Sequence, residues 1–440
     1  MKKVLLFSSL LSALLYAESL DEAFDGFDDA PLIPTQEENC TQTMKKGVSF
    51  FEGVSGSVSF QANDAYHGTS PDDHLNSLKT SLFLDYEHKF ENGWKLKTNA
   101  KWYYDAIYDL RDKPYSEDER KENQHETELF DAYIEGSLSD NLDVKLGRQV
   151  VVWGRSDTIR ITDVLNPIDN RKPAMVDIED LRLPVAMVKV DYFVGDWRLT
   201  PMVILEQRFS KNPPFGSAFN PMPEPSVVEE HPSDPTYAFS LGAEFSGWDI
   251  NFYVSRLYDD AGYYSVVDNL LTHIHKKVTM YGAASNILWG SWLFKGEVAY
   301  FDGLHYTTTQ EKTFSRTDTL LGVEYNGIAD TRINYDISLR HFNTYDNRLI
   351  EEDFIAGEDT YQHALRIGRD FMHATLSVNY LLSLYGKRCD EGGYQRVWLE
   401  YALVDGVNLS GGVVDYIGGS KLFDSIENND MLFMELSYSF

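Results

Sequence analysis

The chain has 440 residues, 69 acidic against 39 basic, and a net charge of −30, which excludes the basic footprint that nucleic-acid binding needs. Aromatics make up 14% of it, yet mean hydropathy is −0.35, and past residue 17 no apolar run is long enough for a membrane helix. Its two cysteines, Cys40 and Cys389, form no CxxC or Cys/His metal spacing.

At the N-terminus, Lys2 and Lys3 precede the apolar stretch Val4 to Ala17, and acidic residues follow. A basic start, a short apolar stretch and a small residue at its end read as a secretory signal peptide over 1–17. Cleavage is expected after Ala17, with Ala13 as the alternative. Residues 18–47 open with Glu18, Asp21, Glu22, Asp25, Asp28 and Asp29 and read as an acidic, flexible periplasmic lead-in. The alternative is a plug or docking strip anchored by Phe24 and Phe27. Export to an oxidising compartment permits a Cys40–Cys389 disulfide, and both cysteines staying apart is the other reading.

Residues 48–440 alternate with period 2. In "NSLKTSLFLDYEHKF", Leu78, Thr80, Leu82, Leu84 and Tyr86 share one face, and Lys79, Ser81, Asp85, Glu87 and Lys89 the other. After the hairpin signal Asn92-Gly93, Leu96, Thr98, Ala100 and Trp102 oppose Lys95, Lys97, Asn99 and Lys101. An exported, aromatic-rich chain with this alternation reads as all-β: a transmembrane antiparallel up-and-down barrel. Its strands are expected at 51–63, 76–90, 94–108, 126–138, 142–153, 184–195, 197–209, 236–247 and 248–258. The second half adds 277–288, 291–303, 316–327, 331–343, 359–369, 372–386, 394–405, 406–417 and 430–440. That is 18 strands, with 16 as the alternative. Lys95, Lys97 and Lys101 are expected to line the lumen as a basic wall, or to pair across the hairpin with Asp85, Glu87 and Asp105.

Short turns alternate with long connections, as in outer-membrane barrels, where the turns are periplasmic and the loops external. The longest connection is 154–183. Ile159, Ile161, Val164, Leu165, Ile168, Met175, Val176, Ile178, Leu181 and Leu183 are too many apolar side chains to leave in water. The loop is therefore expected to fold inward. Arg155, Arg160, Arg171, Lys172 and Arg182 would then face Asp157, Asp163, Asp169, Asp177, Glu179 and Asp180 across a constriction that selects polar solutes, with Arg148 also lining the pore. The alternative is an external loop that docks a partner. The chain ends "MLFMELSYSF". Tyr438 and Phe440 close an alternating strand, the pattern read by the barrel-assembly machinery.

"LGRQVVVWGRSDTIRITDVLNPIDNR", Leu146 to Arg171, resembles a Gram-negative outer-membrane family defined by a domain of unknown function. Gly147, Arg148, Gln149, Trp153, Gly154, Asp163, Asn166 and Pro167 carry the resemblance, with the acidic "FDGFDD" near the N-terminus. It implies a membrane barrel, in some members beside export or uptake systems for hydrophobic compounds, with no agreed substrate. Arg155-Ser156 follows Trp153-Gly154 where the family pattern has an acidic residue.

No GxSxG and no nucleophile–base–orienter set is present. His273-x-His275 has metal-ligand spacing but falls in a long connection, where a solvated loop is the simpler reading. The reading is a non-enzymatic outer-membrane channel of a Gram-negative bacterium for an unknown small solute, with no cofactor, no metal and lipid as its surroundings. A non-conducting barrel serving an export or uptake complex is the alternative. A surface hydrolase is the minor one.

Overall fold

The computed structural model describes residues 53–66, 74–222, 227–352 and 355–440. The signal peptide, the acidic lead-in and Cys40 lie outside them. Twenty-one strands run along the described chain: β1 (Val54–Ala65), β2 (His74–Lys89), β3 (Lys95–Asp105), β4 (His125–Ser139), β5 (Leu142–Gln149), β6 (Val185–Val194) and β7 (Trp197–Ile204). They continue with β8 (Val227–Glu229), β9 (Thr236–Phe245), β10 (Trp248–Tyr258), β11 (Tyr263–Val267), β12 (Leu270–Ile274), β13 (Lys277–Trp289) and β14 (Trp292–Leu304). The last are β15 (Phe314–Ile328), β16 (Thr331–Phe342), β17 (Asp359–Phe371), β18 (Leu376–Tyr385), β19 (Gly393–Val404), β20 (Val407–Ile417) and β21 (Met431–Ser439).

Eighteen of these form one sheet of sequential antiparallel neighbours, and β8, β11 and β12 form a small second sheet. The eighteen are the segments expected from alternation. The expected ends at 153 and 209 overrun, because β5 stops at Gln149 and β7 at Ile204.

β21 pairs with β1, from Ser57 opposite Ser439 to Asp64 opposite Leu432, so the sheet closes and has no edge. At the seam Gly56 donates its N–H to the Phe440 carbonyl at 3.0 Å, and Phe440 returns one to Gly56 at 2.9 Å. Deleting Phe440 removes both bonds and the rim aromatic. The expected result is less heat-modifiable barrel in membranes. Parental levels of that species would count against the terminal residue as an assembly determinant.

Strand alternation sorts the side chains. On β21, Leu432, Met434, Leu436 and Tyr438 point outward and are exposed, while Met431 and Phe433 are buried. On β14, Trp292, Phe294, Val298 and Tyr300 point outward, while Lys295, Glu297, Ala299 and Phe301 are buried inside. So much apolar outer surface is stable only against lipid. Aromatics crowd the rim with the short turns. Phe245 stacks on Trp248 with centroids 4.4 Å apart, Trp292 meets Tyr325 at 4.4 Å, and Tyr438 lies 6.2 Å from Phe440. Such girdles mark the membrane–water interface.

Candidate functional site

The connection between β5 and β6 turns into the lumen. Its neck is built from the Gly-Arg-Gln and Asn-Pro residues. Gly147 has φ +122, and a Cβ there would lie 2.2 Å from the Ala132 carbonyl oxygen, so only glycine fits. Gln149 is fully buried, its amide donating to the Gly147 carbonyl at 3.2 Å. Asn166 staples the two legs of the loop. It accepts from the Val151 N–H at 2.8 Å and donates to the carbonyls of Leu183 at 2.8 Å and Gln149 at 3.3 Å. Asp163 accepts from Arg160 at 3.0 Å and Arg182 at 2.8 Å, and Arg160 also caps the carbonyls of Asp163 and Asn166.

Two lobes leave this neck. The first, residues 151–165, runs along the wall from β10 to β16. Trp153 stacks on Tyr253 of β10 at 4.6 Å, and Ile159, Ile161 and Leu165 join a buried cluster with Met280, Phe301 and Leu320. Gly154, at φ +90, lets the chain pass beside Glu297, whose carboxylate oxygens would be 3.0 and 3.2 Å from a Cβ. Glu297, 4% exposed, accepts from the N–H groups of Arg155 at 2.6 Å, Ser156 at 3.0 Å and Thr162 at 3.2 Å. The Thr162 hydroxyl adds a fourth bond at 2.7 Å. The Asp336 carboxylate of β16 accepts from Ser156 at 2.7 Å and Thr158 at 2.6 Å. Arg155 also pairs with Asp249, and Lys295 reaches Asp157 at 3.5 Å.

The second lobe, 169–182, takes the other half of the lumen and includes the short helix Ile178–Leu181. Near its root Arg171 binds Asp169, Glu126 of β4 at 2.6 Å and the Tyr103 hydroxyl of β3 at 3.1 Å. Burial alone would raise the Asp169 carboxyl, but its bonds with Arg171 outweigh this and hold it below the usual range. Farther out Asp177 bridges Arg366 of β17, at 2.6 Å, and Arg396 of β19. Met175 packs into a second buried cluster with Trp398, Val414 and Tyr416, and the Tyr416 hydroxyl donates to the Pro173 carbonyl at 2.5 Å. Val176 alone of the loop's apolar set is as much as 45% exposed.

Several expected roles change. Charges of the loop do not oppose one another across open lumen. Arg160 with Asp163, and Arg171 with Asp169, close on themselves, while Arg155, Asp157 and Asp177 pin the loop to the wall. Bare opposed charges in a narrow lumen would be costly, and pairing removes that cost. Arg148 does not line the lumen. It shares the outward parity of Leu146, binds Glu206 through two nitrogens and donates to the Leu129 carbonyl at 2.6 Å. Nor do the lysines form a bare basic wall. Lys95 pairs with Glu135 at 2.6 Å and Lys97 with Asp85 at 3.4 Å, while Lys101 sits 3.9 Å over the Phe130 ring. Lys172 is partly buried near the root of the second lobe. Cys389 is exposed in the connection after β18, and its expected partner lies outside the described residues.

The wall residues that hold the loop are the ones sequence reading missed. "WLFKGEVAYFDGL" carried a signal, because Lys295 and Glu297 place two charges on the inner face of an otherwise apolar strand. Beneath the first lobe a cavity of about 280 Å³ is lined by Lys145, Lys189, Asp191, Arg198, Glu244 and Tyr253, among others.

A closed 18-stranded barrel with an apolar belt, a rim of aromatics and a loop folded into its lumen defines a β-barrel of the Gram-negative outer-membrane, porin-like type. The chain belongs to the family described as "Protein of unknown function (DUF1302)", whose model matches residues 28–371. No curated protein matches it. Among solved structures it is similar to OpdK of Pseudomonas aeruginosa with vanillate, at TM-score 0.51 and 10% identity, over 89% of this chain and 100% of that one. OccAB1 of Acinetobacter baumannii matches at TM-score 0.51 and 10% identity, over 88% of this chain and 97% of that one. OccK9 (OpdG) of Pseudomonas aeruginosa matches at TM-score 0.50 and 12% identity, over 89% and 99%. At these identities the likeness is one of fold.

Proposed function

We propose that the protein is an outer-membrane channel for small polar solutes whose inward loop sets the constriction. The observation that carries this reading is the reach of the loop. It leaves β5, crosses the lumen, and is pinned to β14, β16, β17 and β19 through Glu297, Asp336, Arg366 and Arg396. Solute must pass it. The charged cavity on the turn side of the first lobe gives such a solute polar contacts. The likeness to the vanillate-bound OpdK barrel supports the channel reading at the level of fold.

A second reading rests on the same pins. With both lobes docked and their charges paired, the barrel is a non-conducting scaffold. Planar-bilayer recording separates the two. The channel reading expects discrete conductance steps from the parent protein, and larger steps with a relaxed size cutoff after removal of residues 158–180. A silent parent that conducts only after the deletion would favour the scaffold. Equal conductance in both would remove the loop from the pathway.

A further inference from the structure

Outside the barrel, β11 and β12 form a hairpin, and β8 from the preceding connection pairs with β12 in parallel. This register sets Glu229 directly opposite His273. His275 follows just after β12. One donor atom from each of Glu229, His273 and His275 lies within 4.8 Å of the others.

The hydrogen bonds around the two rings are those of a metal-ready pair. His275 Nδ1 lies 2.7 Å from the Asp259 carbonyl oxygen, which can only accept, so this nitrogen carries the proton. In the neutral ring Nε2 is then left as a lone-pair donor. His273 Nε2 lies 3.0 Å from the Ala261 carbonyl oxygen, and its Nδ1 lies 3.0 Å from the Glu229 carboxylate. Both partners are acceptors, and a neutral imidazole has one N–H. A cation between Nδ1 and Glu229 would leave the one N–H on Nε2 for the Ala261 carbonyl. A backbone carbonyl on one nitrogen of each ring is a usual outer partner of metal-bound histidine.

The site is also held rigid. His275 stacks on Phe209 at 3.4 Å and 11°, and His273 on Tyr264 at 4.6 Å and 16°. Gly262, at φ +62, closes the turn against them, and a Cβ there would lie 2.6 Å from His273 Nε2 and 3.0 Å from His275. We propose that Glu229, His273 and His275 bind one divalent transition ion of the zinc type, clamping β8 to the β11–β12 hairpin. Two imidazoles and one carboxylate suit zinc, with donors drawn to about 2.0–2.2 Å. The half-exposed Glu229 leaves the fourth position to water. The sequence reading of His273-x-His275 as a plain solvated loop rested on two ligands. Glu229 supplies the third from 44 residues away.

The test uses the full-length folded barrel, stripped with a chelator and titrated with zinc chloride by calorimetry. Cobalt(II) serves as a spectroscopic probe of coordination. One saturable equivalent per chain is expected, with d–d bands on cobalt loading. Glu229→Gln, His273→Ala and His275→Ala should each abolish saturable uptake, and His341→Ala, on barrel strand β16, should retain it. Heat-modifiability confirms that each variant is a folded barrel. A parent with no saturable uptake would overturn the proposal. Equal uptake by the parent and the three ligand variants would overturn it as well.

Discussion

Replacing Glu297 with Ala frees the first lobe of the inward loop while the barrel stays folded. The carboxylate accepts three backbone N–H groups and one hydroxyl from residues 155–162, which lie far away in sequence. Without it, those donors remain against an apolar cluster with no acceptor. Each buried orphan costs about 1–3 kcal/mol. Together they exceed what Trp153 stacking on Tyr253 contributes, which is on the order of 1 kcal/mol beyond burial. The ladder of β14 is untouched, because its bonds run through backbone to β13 and β15. Glu297→Ala should therefore show faster amide exchange at Arg155, Ser156 and Thr162, larger conductance steps and unchanged heat-modifiability. Glu297→Gln should fall between, since its amide keeps one acceptor and turns a donor toward donors. Parental protection of the three amides in Glu297→Ala would refute Glu297 as the anchor.

Replacing Asp177 with Asn acts on the other lobe and reads out as charge. Asp177 is the shared partner of Arg366 and Arg396, and both guanidiniums also lie over the Trp398 ring, 5.7 and 3.8 Å from its centroid. Removing one member of a fully buried ion pair costs about 3–5 kcal/mol, and the cost is smaller here because Asp177 and Arg366 are partly exposed and only Arg396 is buried. The second lobe should lift, and two arginines should face the lumen unpaired. Ion selectivity is then expected to move toward anions, measured as a shift of the reversal potential in a salt gradient. Asp177→Asn with the parental reversal potential would take Arg366 and Arg396 out of the pathway. The first substitution changes pore size and the second its sign, so the two lobes can be told apart.

Much of the barrel was legible because a wall between lipid and lumen imposes a period of two on every strand. Leu432, Met434, Leu436 and Tyr438 show it at the closing strand. The apolar residues of the 154–183 connection pointed to burial, and Ile159, Ile161 and Leu165 are buried. The partners of that connection were not legible. Lys295 and Glu297 mark the inner face of their strand as polar, but the strand alone does not say that Glu297 binds the loop while Glu135 pairs with Lys95. Arg148 was misplaced because a charge on a barrel strand was assumed to point inward. The outward parity of Leu146 would have corrected it. The external hairpin had a signal too: Asp268 and Asn269, both at positive φ, turn β11 into β12. The pairing of β8 beside it had none, because three residues show no periodicity.

β5 and β7 have eight residues each, against sixteen in β2. Eight residues at ~3.4 Å, tilted by ~40°, rise roughly 20 Å, short of the ~25 Å apolar band of such barrels. On β5 the last exposed apolar side chain is Leu146, and Arg148 just beyond it pairs with Glu206. The cylinder is thus lower on one side than the other. A bilayer meeting it must thin along β5–β7, or the molecule must lean until the short flank and the tall one span equal hydrocarbon. The segment that packs against the inner wall is drawn from the same stretch of chain that lowers the wall, so hydrophobic mismatch on one flank accompanies the docked loop within.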